Sequence, residues 1–194
     1  MTKINYTLKP LDDHSIDEAI QICNQELGKG YLSAEYIQSL LNNENAYLVK
    51  AENSNLEIFG FGFCTILTHQ DLIDSLHPFQ FKSLPENIKT EPFIGITNTI
   101  TIKNEYKGIG IGSTIFKQFI AFFESKSIHL ITAFAWKSKE GFNMEGIFKK
   151  HNFPIVKTIE NYWKLDSIEK KYGCPSCGDF PPCLCTAVIF SKTI

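Results

Sequence analysis

The sequence predicts a single α/β (α+β) domain with a mixed, mostly antiparallel central sheet and helices on both faces. Three observations carry this expectation. At 194 residues the chain has the size of one domain with at most a small appended module. Apolar residues make up 43% and charged residues 21%, enough for a sizeable core and too ordinary for a disordered chain. Strand-like runs alternate with runs of helical period along the sequence.

Charge and termini narrow the function. Lysine plus arginine number 19 against 21 acids, a net charge of −2, so no global basic field exists to hold a polyphosphate backbone, which argues against nucleic acid. The opening MTKINYTLK has no apolar export core, and no run of about 18 apolar residues occurs. The expectation is a cytoplasmic protein with no membrane partner.

Taken in order, Tyr6 to Leu11 reads as a first strand. Ile16, Ala19, Ile20, Cys23 and Leu27 share one face of a helix over Ser15 to Leu27, capped by Asp13 or Ser15 and ended by Gly28 and Gly30. Ser33 to Leu41 reads as a second, short helix. Ala46 to Ala51 and Ile58 to Thr68 read as an antiparallel strand pair, parted by the turn formers at Glu52 to Asn55. Residues 69–91 have no clean period and carry Pro78 and Pro85, with Pro92 just beyond. They read as a surface insertion with one helical turn, a candidate substrate-specific loop. Phe93 to Lys103, rich in Ile and Thr, is a central strand; Ser113 to Lys126 is a helix whose apolar face holds Ile115, Phe116, Phe119, Ile120, Phe122 and Phe123. Ile128 to Trp136 is a strand, Asn143 to Lys150 a short helix, Ile155 to Trp163 a strand, and Thr186 to Ser191 the last strand.

Between the central strand and its helix stands KGIGIG, Lys107 to Gly112. Glycines at such a junction let backbone N–H groups face inward, and the helix N-terminus adds a positive partial charge, which suits a pyrophosphate. No lysine follows Gly112, which argues against a P-loop, and the GxGxG spacing in mid-chain argues against a dinucleotide fold.

With these residues the sequence resembles the GNAT superfamily of acetyl-CoA-dependent N-acyltransferases, whose central motif is Arg/Gln-x-x-Gly-x-Gly/Ala. It stands here as Lys107, Gly108, Ile109, Gly110, Ile111 and Gly112. ITIKNEY at Ile100 to Tyr106 is similar to the family's strand leading into that loop, and Asn143 with the following MEGIFKKHNF is similar to its second motif. The order of elements matches over residues 1–163 and 186–192, so the resemblance makes 1–194 one GNAT-like domain, with the insertion at 69–91 and a cysteine-rich loop at 172–185. It implies that N–H groups from Lys107 to Gly112 bind the CoA pyrophosphate. Ile100 and Ile102 would pair through their backbones with the pantetheine arm, and Asn143 would hydrogen-bond the same arm. A homodimer is left open.

The implied activity is acetyl or acyl transfer from acetyl-CoA to an amine, by direct attack in a ternary complex. Such attack needs a deprotonated amine, a polarised carbonyl and a leaving group. A backbone N–H near Ile102 is the candidate oxyanion donor. Where the family often carries a proton-donating tyrosine, this chain has Phe148; His151 and Tyr162 are the candidates to stand in. The central strand carries no carboxylate, and Glu91 and Glu105 at its ends read as solvated charge. Cys23 and Cys64 read as buried, inert thiols. These departures leave open rivals from another class, a catalytically impaired CoA-binding module or a protein- or nucleic-acid-docking adaptor that works through the cysteine-rich loop.

Tyr172 to Cys185, YGCPSCGDFPPCLC, places CxxC at Cys174 and Cys177 and CxC at Cys183 and Cys185. Four thiolates so spaced suit a tetrahedral Zn2+ with no open position, a structural ion that pins the loop before the last strand. A redox dithiol or unligated thiols remain as alternatives. A loop so stiffened is expected to face the insertion at 69–91, the two forming walls of the acceptor cleft.

Overall fold

The computed structural model describes residues 4–138, 141–142 and 144–194. The strands are β1 (Thr7–Pro10), β2 (Ala46–Glu52), β3 (Ile58–Thr68), β4 (Phe93–Ile102), β5 (Leu130–Lys137), β6 (Ile155–Ile159) and β7 (Thr186–Thr193). The helices are α1 (Ile16–Glu26), α2 (Ala34–Leu41), α3 (His69–Ser75), α4 (Pro78–Lys82), α5 (Glu86–Thr90), α6 (Ile111–Ser125), α7 (Glu145–Lys150) and α8 (Lys164–Lys170). One sheet runs β1-β2-β3-β4-β5-β7-β6, antiparallel throughout except for the parallel pair β4/β5. The mixed, mostly antiparallel architecture read from the sequence is therefore present. Among the described residues no helix is long and apolar enough to cross a membrane.

Each face of the sheet is covered by helices, because every central strand sends apolar side chains both ways. On one face α6 and α7 pack on Val49, Ala51, Ile131, Ala133, Val188 and Phe190. Phe116, Phe119 and Phe123 of α6 are fully buried there, and truncating any one to alanine removes about 3–5 kcal/mol. The helix comes close because Gly95 lies beneath it: a Cβ at that position would stand 2.8 Å from the Phe123 ring. On the other face α1 and α2 cover Leu48, Phe61 and Phe63.

Three expectations are corrected. Residues 69–91 form three short helices rather than one turn, and Leu72, Leu84 and Ile88 are buried over Ile94, Ile96, Leu130 and Ile189. The segment is thus a cover for the second face of the sheet. Proline at the start of α4, and Pro85 just ahead of α5, begin helices here rather than break them. The strand expected over Ile155 to Trp163 ends at Ile159, a turn follows, and α8 succeeds it; Tyr162 therefore lies in the turn. Helix α6 begins at Ile111, two residues earlier than its apolar pattern suggests, with Gly110 as its N-cap.

One irregularity governs the centre. Cys64 pairs with Thr97 but Phe63 pairs with Thr99, so Asn98 is an extra residue in β4. The bulge switches the faces of the strand: Ile94 and Ile96 join the core beneath α3 to α5, whereas Ile100 and Ile102 join the core beneath α6. At the same place β4 and β5 part. They pair only over Ile94–Thr97 and Leu130–Ala133, after which each is bonded to its other neighbour alone.

At the far edge, Glu52 is buried on β2 between Lys9 at 2.6 Å and Lys50 at 3.1 Å, and Lys50 also reaches Asp12 at 2.7 Å. The Lys9 hydrogen bond, helped by that from Lys50, holds the Glu52 carboxyl below its ordinary value against the effect of burial. A lowered carboxyl stabilises the fold above its unfolded-state value, and that stability is lost as pH falls through the folded one. Glu52→Gln should cost about 1 kcal/mol in urea unfolding at neutral pH. Its difference from the wild type should shrink below about pH 4.

Candidate functional site

The fork between β4 and β5 opens into a cleft of roughly 600 Å³. Its floor is Thr97 to Ile102 on one arm and Ala133 to Trp136 on the other. The cleft passes through the sheet. One mouth lies on the α6 face, lined by the glycine loop, Met144, Ile147 and Phe148; the other opens beside Leu27, Tyr31, Trp163 and Tyr172, whose packing partners belong to the opposite face or to the cysteine loop.

The α6 mouth is a cradle of unused donors. Among the described residues, the N–H groups of Gly108 to Ser113 have no hydrogen-bond acceptor, and Thr114 is the first to bond back, to Gly110 O at 3.1 Å. These are the orphan donors that every helix N-terminus leaves, extended here by the loop. The loop turns this way because Gly108 and Gly110 hold φ of +80° and +95°, a conformation that L side chains resist. Gly112 lets α7 approach: a Cβ there would stand 2.8 Å from the terminal Cδ1 methyl of Ile147, which would have to turn aside.

Along β4, Lys103 N–H donates to Phe59 O at 2.9 Å. Alternation then turns Thr101 and Thr99 toward β3 and leaves the N–H and C=O of Ile100 and Ile102 facing the open fork. The hydroxyls of Thr97 and Thr101, both in cleft-lining residues, are buried with no hydrogen-bond partner. Orphaned polar atoms in a cleft fit a polar ligand. Helix α1 is tied to this region by two ion pairs, Glu18 with Lys103 at 3.1 Å and Glu26 with Lys107.

No protein-family model matches the sequence, and no curated protein matches it. Solved structures do match in fold. Arabidopsis thaliana NAA60, solved in complex with acetyl-CoA, superposes with a TM-score of 0.68 at 12% identity, covering 98% of this chain and 99% of that one. Chaetomium thermophilum Naa20, solved with a bisubstrate analogue, gives 0.67 at 14% identity over 97% and 86%. The ribosomal-protein-S18-alanine N-acetyltransferase of Escherichia coli gives 0.64 at 12% over 98% and 94%. The chain has the GNAT fold. At such identities the likeness speaks for architecture.

Within the GNAT fold the residues singled out in the sequence fall into three groups. Gly108, Gly110, Ile111 and Gly112, with Ile100 and Ile102, line one cleft. Lys107 lines it too, but its N–H is spent on Asn104 O at 3.3 Å and its ammonium on Glu26, so the free donors begin at Gly108 and run on to Ser113. Ile109 has an exposed side chain and does not line the cleft. Asn143 lies outside the described residues.

The two proton-donor candidates stand apart from the cleft. Tyr162 is buried, stacks on Phe134 at 5.7 Å, and keeps a hydroxyl with no partner; burial drives its phenol upward. His151 sits behind the mouth, with Nε2 3.0 Å from Ser113 Oγ and its ring against Phe116. Burial, then the charges of Lys150, Lys192 and Lys117, hold His151 below the ordinary histidine value. Phe148 does line the cleft, stacked on Phe190 at 4.3 Å, so an apolar ring stands where the family's hydroxyl was sought. Burial pushes Cys23 up to about 12 and Cys64 well above its usual value, as expected of inert thiols.

The four C-terminal cysteines converge. Their sulfurs all lie within 4.8 Å of one another, Cys177 to Cys185 at 3.5 Å and Cys174 to Cys185 at 3.7 Å. The CPSCG turn is closed by Cys174, whose carbonyl accepts from Gly178 N–H at 2.8 Å, and Leu184 N–H points at Cys177 Sγ at 3.3 Å. A hydrogen bond from the Cys183 thiol, with the N–H groups of Ser176 and Cys177, holds the Cys174 thiol below its ordinary value despite its burial. Both tryptophans of the chain, Trp136 and Trp163, pack against this cluster and line the cleft. Cys174 and Cys183 line it too. The expected facing wall is corrected: no residue of 69–91 lines the cleft, because that segment is sealed onto the sheet, and the mouth beside the cysteines is lined instead by Leu27 and Tyr31 after α1, which abut the cysteine loop. Tyr31, Tyr172 and Trp163 carried no local signal, since they meet only in the folded chain.

Gly110→Ala separates backbone from space. Nothing lies within 4 Å of a Cβ at that position, so the cost is conformational alone, about 1–2 kcal/mol in urea unfolding.

Proposed function

We propose that the protein transfers an acetyl or acyl group from acetyl-CoA to an amine, by direct attack in a ternary complex. The observation that carries the reading is the through-sheet cleft with a cradle of free N–H groups at one mouth and an aromatic wall at the other. When bound, acetyl-CoA supplies a thioester carbonyl for attack and a thiolate to leave.

The chain's own residues divide the work. The N–H groups of Gly108 to Ser113, at the positive end of α6, hold the pyrophosphate. The backbone of Ile100 and Ile102 bonds the amide arm in place of the strand that β5 no longer provides. Of these two, Ile100 is nearer the fork, so its N–H, rather than that of Ile102, is the oxyanion donor for a carbonyl reaching the fork. The amine enters by the opposite mouth, past Tyr31, Trp163 and Tyr172. A thiol with a pKa of about 8.5 departs as thiolate without a donor at Phe148. Cys174, Cys177, Cys183 and Cys185 would hold a structural zinc ion, leaving it no open position, and no step of the transfer passes through it.

Calorimetry with acetyl-CoA tests the first half. The wild type should bind, and Gly110→Asp, which sets a carboxylate in the cradle, should weaken binding by about tenfold or more while remaining folded by circular dichroism. Absence of binding by the wild type overturns the reading.

The pH dependence tests the second half. Among the described cleft-lining residues the only carboxylate is Glu26, already paired with Lys107, so amine deprotonation is assigned to water. For an amine of pKa about 10, log kcat/KM should rise with a slope of about 1 from pH 6 to 9. A plateau near neutrality would reveal a base within the protein. The scarcity of acid and base among the described cleft-lining residues favours a second reading, a CoA-binding module without turnover; it predicts acetyl-CoA binding with no thiol released across a panel of amines.

A further inference from the structure

The cysteine loop is built around its sulfurs rather than around a hydrophobic core. Between α8 and β7 the chain has no regular element beyond the isolated bridge of Cys174 with Gly178. Its large apolar residues Phe180 and Leu184 point outward, 84% and 51% exposed, while Cys174, Cys183 and Cys185 are buried. Four thiolates at about 2.3 Å from a tetrahedral zinc ion lie about 3.8 Å apart. The observed separations of 3.5 and 3.7 Å fit that set, as they fit no S–S bond.

The loop also holds something. Gly173 N–H donates to Lys29 O at 3.1 Å, and the backbones meet so closely that a Cβ on Gly28 would stand 2.2 Å from Gly173 O. The Tyr172 ring meets Tyr31 edge to face at 5.4 Å, and its hydroxyl donates to Asp166 at 2.7 Å. Cys183 N–H donates to Ser167 Oγ at 2.8 Å, inside α8. The segment Gly28 to Tyr31, irregular itself, thus rests on the residues that precede the first cysteine.

We propose that one zinc ion, bound by Cys174, Cys177, Cys183 and Cys185, fastens the acceptor wall of the cleft, so that metal occupancy governs entry of the amine and leaves the CoA half unchanged. The naming of that wall as the acceptor's rests on the transfer reading above. The fastening runs from the ion to the CPSCG turn, from the turn through Gly173 and Tyr172 to Gly28 and Tyr31, and so to the mouth. The glycine cradle and β4 are held separately, by α6 and β3.

The test uses the full chain, purified under reducing conditions, as wild type and as Cys177→Ser, whose side chain is exposed and does not line the cleft. Zinc per chain is measured by elemental mass spectrometry, hydrogen exchange by peptide mass spectrometry, and acetyl-CoA affinity by calorimetry. One zinc per wild-type chain is expected. Chelation or Cys177→Ser should speed exchange about tenfold or more in residues 27–33 and 172–185, with residues 94–116 unchanged and acetyl-CoA affinity within about twofold. A wild type that holds no zinc and takes up none when Zn2+ is added overturns the proposal. So does zinc loss without faster exchange in 27–33, and so does equal acceleration in 94–116, which would make the ion a support for the whole fold. Failure of the zinc-loaded protein to bind acetyl-CoA overturns the transfer reading instead, and the exchange pattern still decides the fastening.

Discussion

The parting of β4 from β5 is the constraint on which the rest depends. Two parallel strands that pair at Ile94–Thr97 and then separate leave backbone donors and acceptors without partners in the middle of a sheet. An open fork of this kind persists only if each arm is secured from outside. The Asn98 bulge secures one arm: by reversing the faces of β4 it seats Ile100 and Ile102 beneath α6 while Ile94 and Ile96 stay beneath α3 to α5. The other arm, Phe134 to Lys137, is held by β7 along its whole length. Thr65, which donates to the Asn98 side chain at 2.9 Å, fixes the bulge itself.

The two helices at the glycine loop answer to the same geometry. At the start of α6, Gly112 lies directly against Ile147 of α7, and the approach to the loop is clamped by α1 through Glu18 with Lys103 and Glu26 with Lys107. Each pair is partly exposed and individually weak. Together they set the end of α1 beside the loop, and the chain leaves α1 directly into Leu27 and Tyr31, which line the opposite mouth. Both ends of the cleft therefore lie beside one helix, although each is packed on other elements.

What was legible in the sequence was what short-range chemistry dictates. Gly108, Gly110 and Gly112 announced a strand-to-helix cradle, and the four cysteines announced a common point, because φ and thiolate spacing are local properties. The strand pair Ala46 to Thr68 was legible from its period and its turn. What stayed hidden depends on contacts between distant segments. The bulge at Asn98 has no marker within FIGITNTITIK, since it is defined by the register of β3. The short helices α3 to α5 disguise themselves as a proline-broken loop, and α8 follows a strand that stops early. Tyr31 meets Tyr172 across 141 positions of sequence, the difference of 172 and 31. Tyr162 and His151 are proton-bearing side chains close in sequence to Phe148, and the fold sets both outside the cleft lining.

Both indoles of the chain, Trp136 and Trp163, sit on the cysteine cluster at the edge of the cleft. Tryptophan emission from this protein is therefore a local signal. Trp136 stands on β5 and Trp163 between that cluster and the core beneath α3 to α5, so a denaturation curve followed by emission responds to the seam between the C-terminal loop and the sheet, whereas one followed by far-ultraviolet dichroism records the seven-stranded sheet and its helices as a whole. If the loop lets go first, the two curves separate, and the gap between their midpoints measures how far this corner of the molecule behaves as an independent cooperative unit.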